Sequence, residues 1–375
     1  MEKIDADRPY YLAFNYFNKI GAVALKRLEK YFPNLDSAFR ANGYDLLRAG
    51  LGDKLSAEFI AWRRSFCLEQ AIEDLRREGI SFMTWNESSY PRYLREISSP
   101  PPVLYFKGGL SGDDTSRLAV VGARKHSAYG EKIIQTLIPN LAKQGIEIIS
   151  GLALGIDSLA HQSALDAGGK TIAFLGSGLM EDMVYPYQNR RLAENIIQSG
   201  GALVSEFSPR TPPYKQNFPR RNRLIAGLAQ ATLVVEAGQK SGSLITASYA
   251  LEENREVLAV PGNIFSPLAV GSNWLIKSGA KTITGPNDIL EIFGIDITTT
   301  TRDKITMDIP KTAGNSPAKK IIYAILREAH DRSERISADE ISKKSQLDMA
   351  TINSTLSILE IEGLAENDGY GYDLK

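Results

Sequence analysis

The run Leu118-Ala119-Val120-Val121, followed by Gly122-Ala123-Arg124-Lys125-His126-Ser127, decides the architecture. Four apolar residues make a strand, glycine permits a tight turn, and serine stands where a helix wants an N-cap. The same grammar recurs downstream. Strands are read at Ile146–Ile149, Thr171–Leu175, Ala202–Val204, Thr232–Val235 and Val257–Val260, and helical patterns fall near 128–144, 156–167, 187–199, 221–229, 242–253 and 271–279. Strands that are apolar throughout are buried on both faces, and helices between them make the crossovers of a parallel sheet. Residues 115–293 are therefore predicted to form an α/β, Rossmann-like, doubly wound parallel sheet.

The flanks read differently. Residues 1 to about 85 have helical periodicity and no good strand; short glycine turns at Gly21 and at Gly50-Leu51-Gly52 each precede a helical pattern. This predicts a small helical domain of SAM or helix-hairpin-helix type, for packing or partner contacts. Pro91 and Pro100-Pro101-Pro102 mark an extended crossing into the central region. Thr298–Thr301, Pro310, Gly314, Asn315 and Pro317 read as a linker. Helical patterns then follow at Ala318–Arg332, from Ser337, and at Asp348–Glu362, before a hairpin turn at Asn367–Tyr372. That order is the plan of a winged helix. The expected division is 1–85 helical, 86–294 Rossmann-like, 295–317 linker and 318–375 winged helix.

Composition excludes several classes. Of 375 residues, 44 are Lys or Arg and 44 Asp or Glu, so bulk charge attracts no polyanion or polycation. Cys67 is the single cysteine and the three histidines are scattered, which argues against disulfides and metal sites. Neither a signal peptide nor an apolar run of membrane-spanning length is evident, and a cytoplasmic protein without membrane insertion is expected.

Ligands of open parallel sheets bind beyond the carboxyl ends of the strands. There, Gly122, Arg124 and Ser127 offer a turn, a guanidinium fork and a helix cap suited to phosphate, although a plain capped turn explains them equally well. In Ser150–His161 (SGLALGIDSLAH), Asp157 is a candidate helix cap and His161 reads as a packed residue. Gly176-Ser177-Gly178 opens a GxG pattern, but Glu181 takes the place of the third glycine and disfavours NAD. From Phe207 to Val235 there are five basic residues (Arg210, Lys215, Arg220, Arg221, Arg223) and no acidic one. Lys215, Phe218, Arg220, Asn222 and Arg223 combine cations with an aromatic ring, a mixture that suits single-stranded nucleic acid, the alternative being a solvated basic loop anchored by Phe218. Lys240-Ser241-Gly242-Ser243 adds a lysine at another helix start on the same rim. No catalytic constellation and no cofactor motif emerges.

Taken together, the chain resembles the DNA-processing protein A (DprA/Smf) family. The resemblance runs through Tyr90-Pro91, Gly122-Ala123-Arg124, SGLALGIDSLAH, Tyr185-Pro186, Ser205-Glu206, FPRRNRLIAGL (Phe218–Leu228), Lys240–Ser243, Pro261-Gly262 and Gly279-Ala280, in the family's order. It implies a non-enzymatic recombination mediator that binds single-stranded DNA in natural transformation and loads the RecA recombinase, acting as a homodimer. It maps a phosphate pocket onto Gly122, Arg124 and Ser127, and DNA contacts onto Lys215 and Phe218, with Arg220, Asn222 and Arg223 in the same motif. It places a dimer surface near Trp274, Leu275 and Ile276. Where the family often has Ser or Thr, this chain has Ala123, which removes one hydroxyl.

Two expectations stand beside it. Asp348–Glu362 carries three acids and no Lys or Arg, so the C-terminal module is expected to serve protein contacts or regulation in place of major-groove reading. The alternative is a Rossmann-like nucleotide phosphoribohydrolase; the stretch Ala237–Ser243 lacks the glutamate such an enzyme needs in the following turn.

Overall fold

The computed structural model describes residues 2–295, 317–331, 335–345, 347–367 and 371–374. Almost all of the expected linker therefore lies outside the described residues. The chain divides into two compact units, Met1–Asp296 and Ile297–Lys375.

All six expected strands are present: β3 (Arg117–Val121), β4 (Glu147–Ser150), β5 (Thr171–Phe174), β6 (Ala202–Ser205), β7 (Ala231–Val234) and β8 (Glu256–Ala259). Three were not foreseen: β1 (Ser81–Thr84), β2 (Val103–Gly108) and the two-residue β9 (Lys281–Thr282). The sheet order is β1-β2-β6-β5-β4-β3-β7-β8-β9. Strands β6 through β9 run parallel, whereas β2 is antiparallel to both β6 and β1. The parallel core expected over residues 115–293 is thus present, and β1 and β2 add an antiparallel edge to it. The absence of a strand before residue 85 is corrected, because Ser81–Thr84 is too short and mixed to stand out without its partner.

From β3 the chain adds strands on one side up to β6, then returns to lay β7 on the other side. The loops leaving β3 and β7 diverge at this switch and open a crevice, as strand order in doubly wound sheets requires. Ile148, Ile149, Phe174, Val204, Leu233 and Val234 are fully buried, which explains their unbroken apolar runs. At the opposite rim, buried Arg117 donates from Nε to Glu147 at 3.0 Å and closes the sheet's amino ends.

Six helices occupy the N-terminal region, among them Glu2–Phe17, Ala22–Tyr31 and Asp53–Arg63. The latter two follow Gly21 and Gly52, as the glycine turns predict. Phe14 and Phe59 stack at 5.1 Å within this layer. Tyr105 of β2 donates to Asn15 at 2.8 Å, and both regions contribute to one continuous apolar core.

The second unit contains helices Pro317–Asp331, Ala338–Ser345 and Met349–Ile361, then the antiparallel pair β10 (Ala365–Asn367) and β11 (Tyr372–Leu374). Ile322, Leu326, Ile341, Ile352, Leu356 and Leu359 form its core. Asp348 caps the third helix through the Thr351 amide at 2.9 Å, and Lys319 pairs with Glu362 at 2.7 Å.

Candidate nucleic-acid interface

The informative basic segment builds a helix, Asn217–Leu228, that starts four residues before the expected 221. Pro219 misleads there: proline suppresses helix in an interior but is accepted in the first turn, where its missing N–H has no partner anyway. The earlier start puts Phe218, Arg221, Asn222 and Ile225 on one face, at the spacing of successive helical turns. Arg220 and Arg223 fall on another.

The first face borders an open groove of about 700 Å³ at the switch point. Gly122 and Arg124 enter it from the end of β3, Lys215, Phe218 and Asn222 from the helix and its approach, and Lys240 from the loop after β7. Six of the nine expected DNA-contacting residues are thus brought together. Arg124, Lys215 and Lys240 are exposed, and no carboxylate pairs with any of them among the described residues. Asn222 is positioned by its neighbours: its Oδ1 accepts from Arg221 Nε at 3.1 Å, and its Nδ2 donates to the Gly242 carbonyl at 3.3 Å.

Glycines let this groove close around its aromatic ring. A Cβ on Gly176 would stand 2.8 Å from the Phe218 ring, and one on Gly122 would stand 2.7 Å from Ile156. Tyr185, nearly half exposed, lies beside Phe218 at 5.7 Å between ring centroids. Tyr185 was not among the expected contacts: the Tyr185-Pro186 block carries the family resemblance without a role, and the fold brings it to Phe218.

Three expected residues lie elsewhere. The Ser127 amide donates to the Glu236 carboxylate at 2.9 Å, its hydroxyl donates to the same group, and it also caps Gly130 at 3.2 Å. The helix start predicted to receive phosphate is therefore already covered by a buried carboxylate. Arg220 (3.2 Å) and Arg223 both bind Glu206, and Arg223 also donates to the Ser99 carbonyl at 2.6 Å. Both line a separate cleft toward the N-terminal helices. For Ser127 this placement corrects the expected phosphate seat, whereas Arg220 and Arg223 are moved from the groove to the cleft; the partners, Glu236 and Glu206, flank the acid-free segment on either side and are invisible to its composition.

Arg221, missed as a structural element, is the groove's floor. Its guanidinium is buried, donating to the carbonyls of Gly151 (2.8 Å) and Phe174, past the ends of β4 and β5. Burial lowers it to about 10, against the pull of Asp157, so it remains charged at neutral pH. A Cβ on Gly151 would stand 2.6 Å from that guanidinium. Asp157 is not the expected cap. Gly155 holds that position, while Asp157 accepts from the Gly151 amide at 3.1 Å, and burial raises its carboxyl despite Arg221.

His161 is fully buried, as its packed reading requires. Thr171 Oγ1 donates to the Ile148 carbonyl at 2.6 Å, so it accepts from His161 Nδ1–H at 2.7 Å, and Nε2 has no partner. Burial, with Arg221 nearby, lowers the imidazole to about 3 and keeps it neutral.

Of the expected dimer residues, Trp274 is more than half exposed and borders a hollow with exposed Leu251, whereas Leu275 is buried within the chain's own core. Leu275 is thereby corrected from a contact to a support. Ile276 is half-buried. No helix among the described residues is long and apolar enough to cross a membrane.

The family profile described as DNA recombination-mediator protein A matches residues 81–294. Protein Smf of Synechocystis is 34% identical, over 97% of this chain and 98% of its own. Protein Smf of Escherichia coli is 43% identical over 66% of this chain and 65% of its own. Among solved structures, DNA processing protein A (DprA) of Streptococcus pneumoniae shares 34% identity at a TM-score of 0.64, covering 76% of this chain and 97% of that one. DNA processing protein A of Helicobacter pylori, whose structure concerns its single-stranded DNA binding mode, shares 28% identity at a TM-score of 0.51, over 57% of this chain and 95% of that one.

Proposed function

Because this chain belongs to the DNA recombination-mediator protein A (DprA/Smf) family, we propose that it binds single-stranded DNA in the switch-point groove and loads RecA onto it, without catalysing a reaction itself. One observation carries the reading: Arg124, Lys215 and Lys240, each free of a carboxylate, converge around the Phe218 and Tyr185 rings. Free cations track a phosphate backbone, and the rings supply a stacking platform for any base. No donor array singles out one base, so binding is expected to tolerate sequence. The setting is the cytoplasm, in recombination and the uptake of transforming DNA. Trp274 and Leu251 provide an apolar face for a second copy of the chain, with Leu275 holding the Trp274 helix in place.

The experiment titrates labelled single strands with the wild type, Lys215→Ala and Phe218→Ala, then follows RecA filament formation on strands coated with a single-strand binding protein. Phe218→Ala should weaken binding by about 1–3 kcal/mol on every sequence. Lys215→Ala should flatten the log–log salt dependence by about 0.7. Each should slow filament formation in proportion. Unchanged affinity in both variants removes the groove as the site, and normal binding without filament acceleration removes the loading role. Trp274→Glu should halve the mass measured by sedimentation; an unaltered mass refutes the proposed dimer face.

A further inference from the structure

Building on the strand-binding reading above, we infer that the cleft between the N-terminal helices and the sheet is a second phosphate site on the path of the same strand. This cleft, of about 860 Å³, lies across a ridge from the groove. Residues 214–218 separate the two and contribute side chains to both. Lys215 and Phe218 line the groove, whereas Tyr214, Gln216 and Asn217 line the cleft. A strand that follows Lys215 over the ridge enters the cleft directly.

The opposite wall is the start of the ten-residue helix Ala22–Tyr31. Gly21, its N-cap, has no side chain to offer the first amides, and the first turn contains no acid. Such amides carry the positive end of the helix dipole and suit a phosphate oxygen. An independent observation comes from the facing wall. Asn217 is 7% exposed, and its Nδ2 has no hydrogen-bond partner. A buried amide without an acceptor is costly, and a phosphate oxygen would supply one. Arg27 and the half-exposed Arg220 add positive charge at the cleft. Glu206 also lines it, but Arg220 and Arg223 share one of its oxygens. Its other oxygen, Oε1, is buried without a partner, and the two arginines offset the charge of the carboxylate.

Val23→Glu tests the idea without disturbing the fold. Val23 is 68% exposed, and a carboxylate in the first turn favours the helix while excluding a phosphate there. A strand of about six nucleotides should fill the groove alone, and one of about twenty should reach both cavities. The expected result is a roughly five-fold loss of affinity for the long strand only, the weight of one phosphate at a helix start. Its salt slope should fall by about 0.7. Equal loss on both lengths, or none on either, overturns the second site. If Phe218→Ala weakens both lengths while Val23→Glu weakens neither, the groove survives and only this inference fails. Inorganic phosphate supplies the remaining arm: raised thermal stability in wild type but not in Val23→Glu, without any strand-length effect, would mark a small-anion site and overturn the strand path.

Discussion

At Ala128 and at Gly242 the chain begins a helix behind a serine cap, on the same rim of the same sheet. Over the first start sits Glu236, bound by both the amide and the hydroxyl of Ser127. The second start opens onto the groove, with Lys240 immediately before its cap. One half of the rim is sealed from within and the other is open. Capping chemistry is common to both, since it follows from the free amides of any helix start. The difference is a single carboxylate 109 residues from Ser127 in sequence, which only the meeting of β3 and β7 brings there. Residues on the sealed side should therefore register in stability, and those on the open side in affinity.

The hardest test of that division is Arg221, which lies in the most basic stretch of the chain and yet belongs to the sealed side. Arg221→Ala would strand buried Asp157 without its counter-charge and release the carbonyls of Gly151 and Phe174. Hydrogen bonds to a charged group are worth about 1.5–3 kcal/mol each. Chemical denaturation should show a loss of that size. Wild-type stability combined with weakened DNA binding would move Arg221 to the open side and break the comparison.

His161 sharpens the division through pH. Its ordinary value is 6.5 and its folded value about 3, so the unfolded chain takes up a proton that the folded chain refuses. Stability must then fall as pH drops below 6.5, continuing toward 3, where the folded state begins to accept the proton. Between pH 7 and pH 5 the loss is about 2 kcal/mol. The raised Asp157 carboxyl works in the opposite sense, costing stability as pH rises through its titration, so the comparison must be made within one variant pair. His161→Gln should lose the decline over this interval, read from thermal midpoints at each pH. An identical slope in both proteins would mean that the imidazole is not held neutral by burial.

The strands of the parallel core and the rim at which the groove lies were legible because their causes are local or topological. Val120 and Ile149 announce strands buried on both faces, and a parallel sheet places ligands at its carboxyl end whatever the ligand. Lys215 and Phe218 were legible because mixed charge and ring suit one kind of polymer. Illegible were the pairings made at a distance: Ser127 with Glu236, and Arg220 and Arg223 with Glu206. In each the acid stands just outside the acid-free window, at one end or the other, so counting charges inside that window could not register it. Tyr185 was missed for a related reason, since its value lies wholly in standing 5.7 Å from Phe218. The antiparallel edge escaped because Ser81–Thr84 needs β2 beside it to be a strand at all.

The smallest expected effect returns to the two helix starts and asks each for a different readout. Ser127→Ala removes a cap whose hydroxyl bonds both Gly130 and Glu236. Loss of an N-cap typically costs about 1 kcal/mol, and the stranded carboxylate should add to that figure. Because Glu236 already binds the Ser127 amide and lies against that helix start, affinity for single-stranded DNA should not change. Lys240→Ala should do the reverse. Its side chain is exposed and unpaired, so folding loses nothing, while the strand loses one phosphate contact and about 0.7 of its salt slope. Measuring both quantities on both variants gives a crossed pattern if the rim is divided as described. Weakened binding by Ser127→Ala at wild-type stability would show that DNA displaces Glu236 and opens the sealed half.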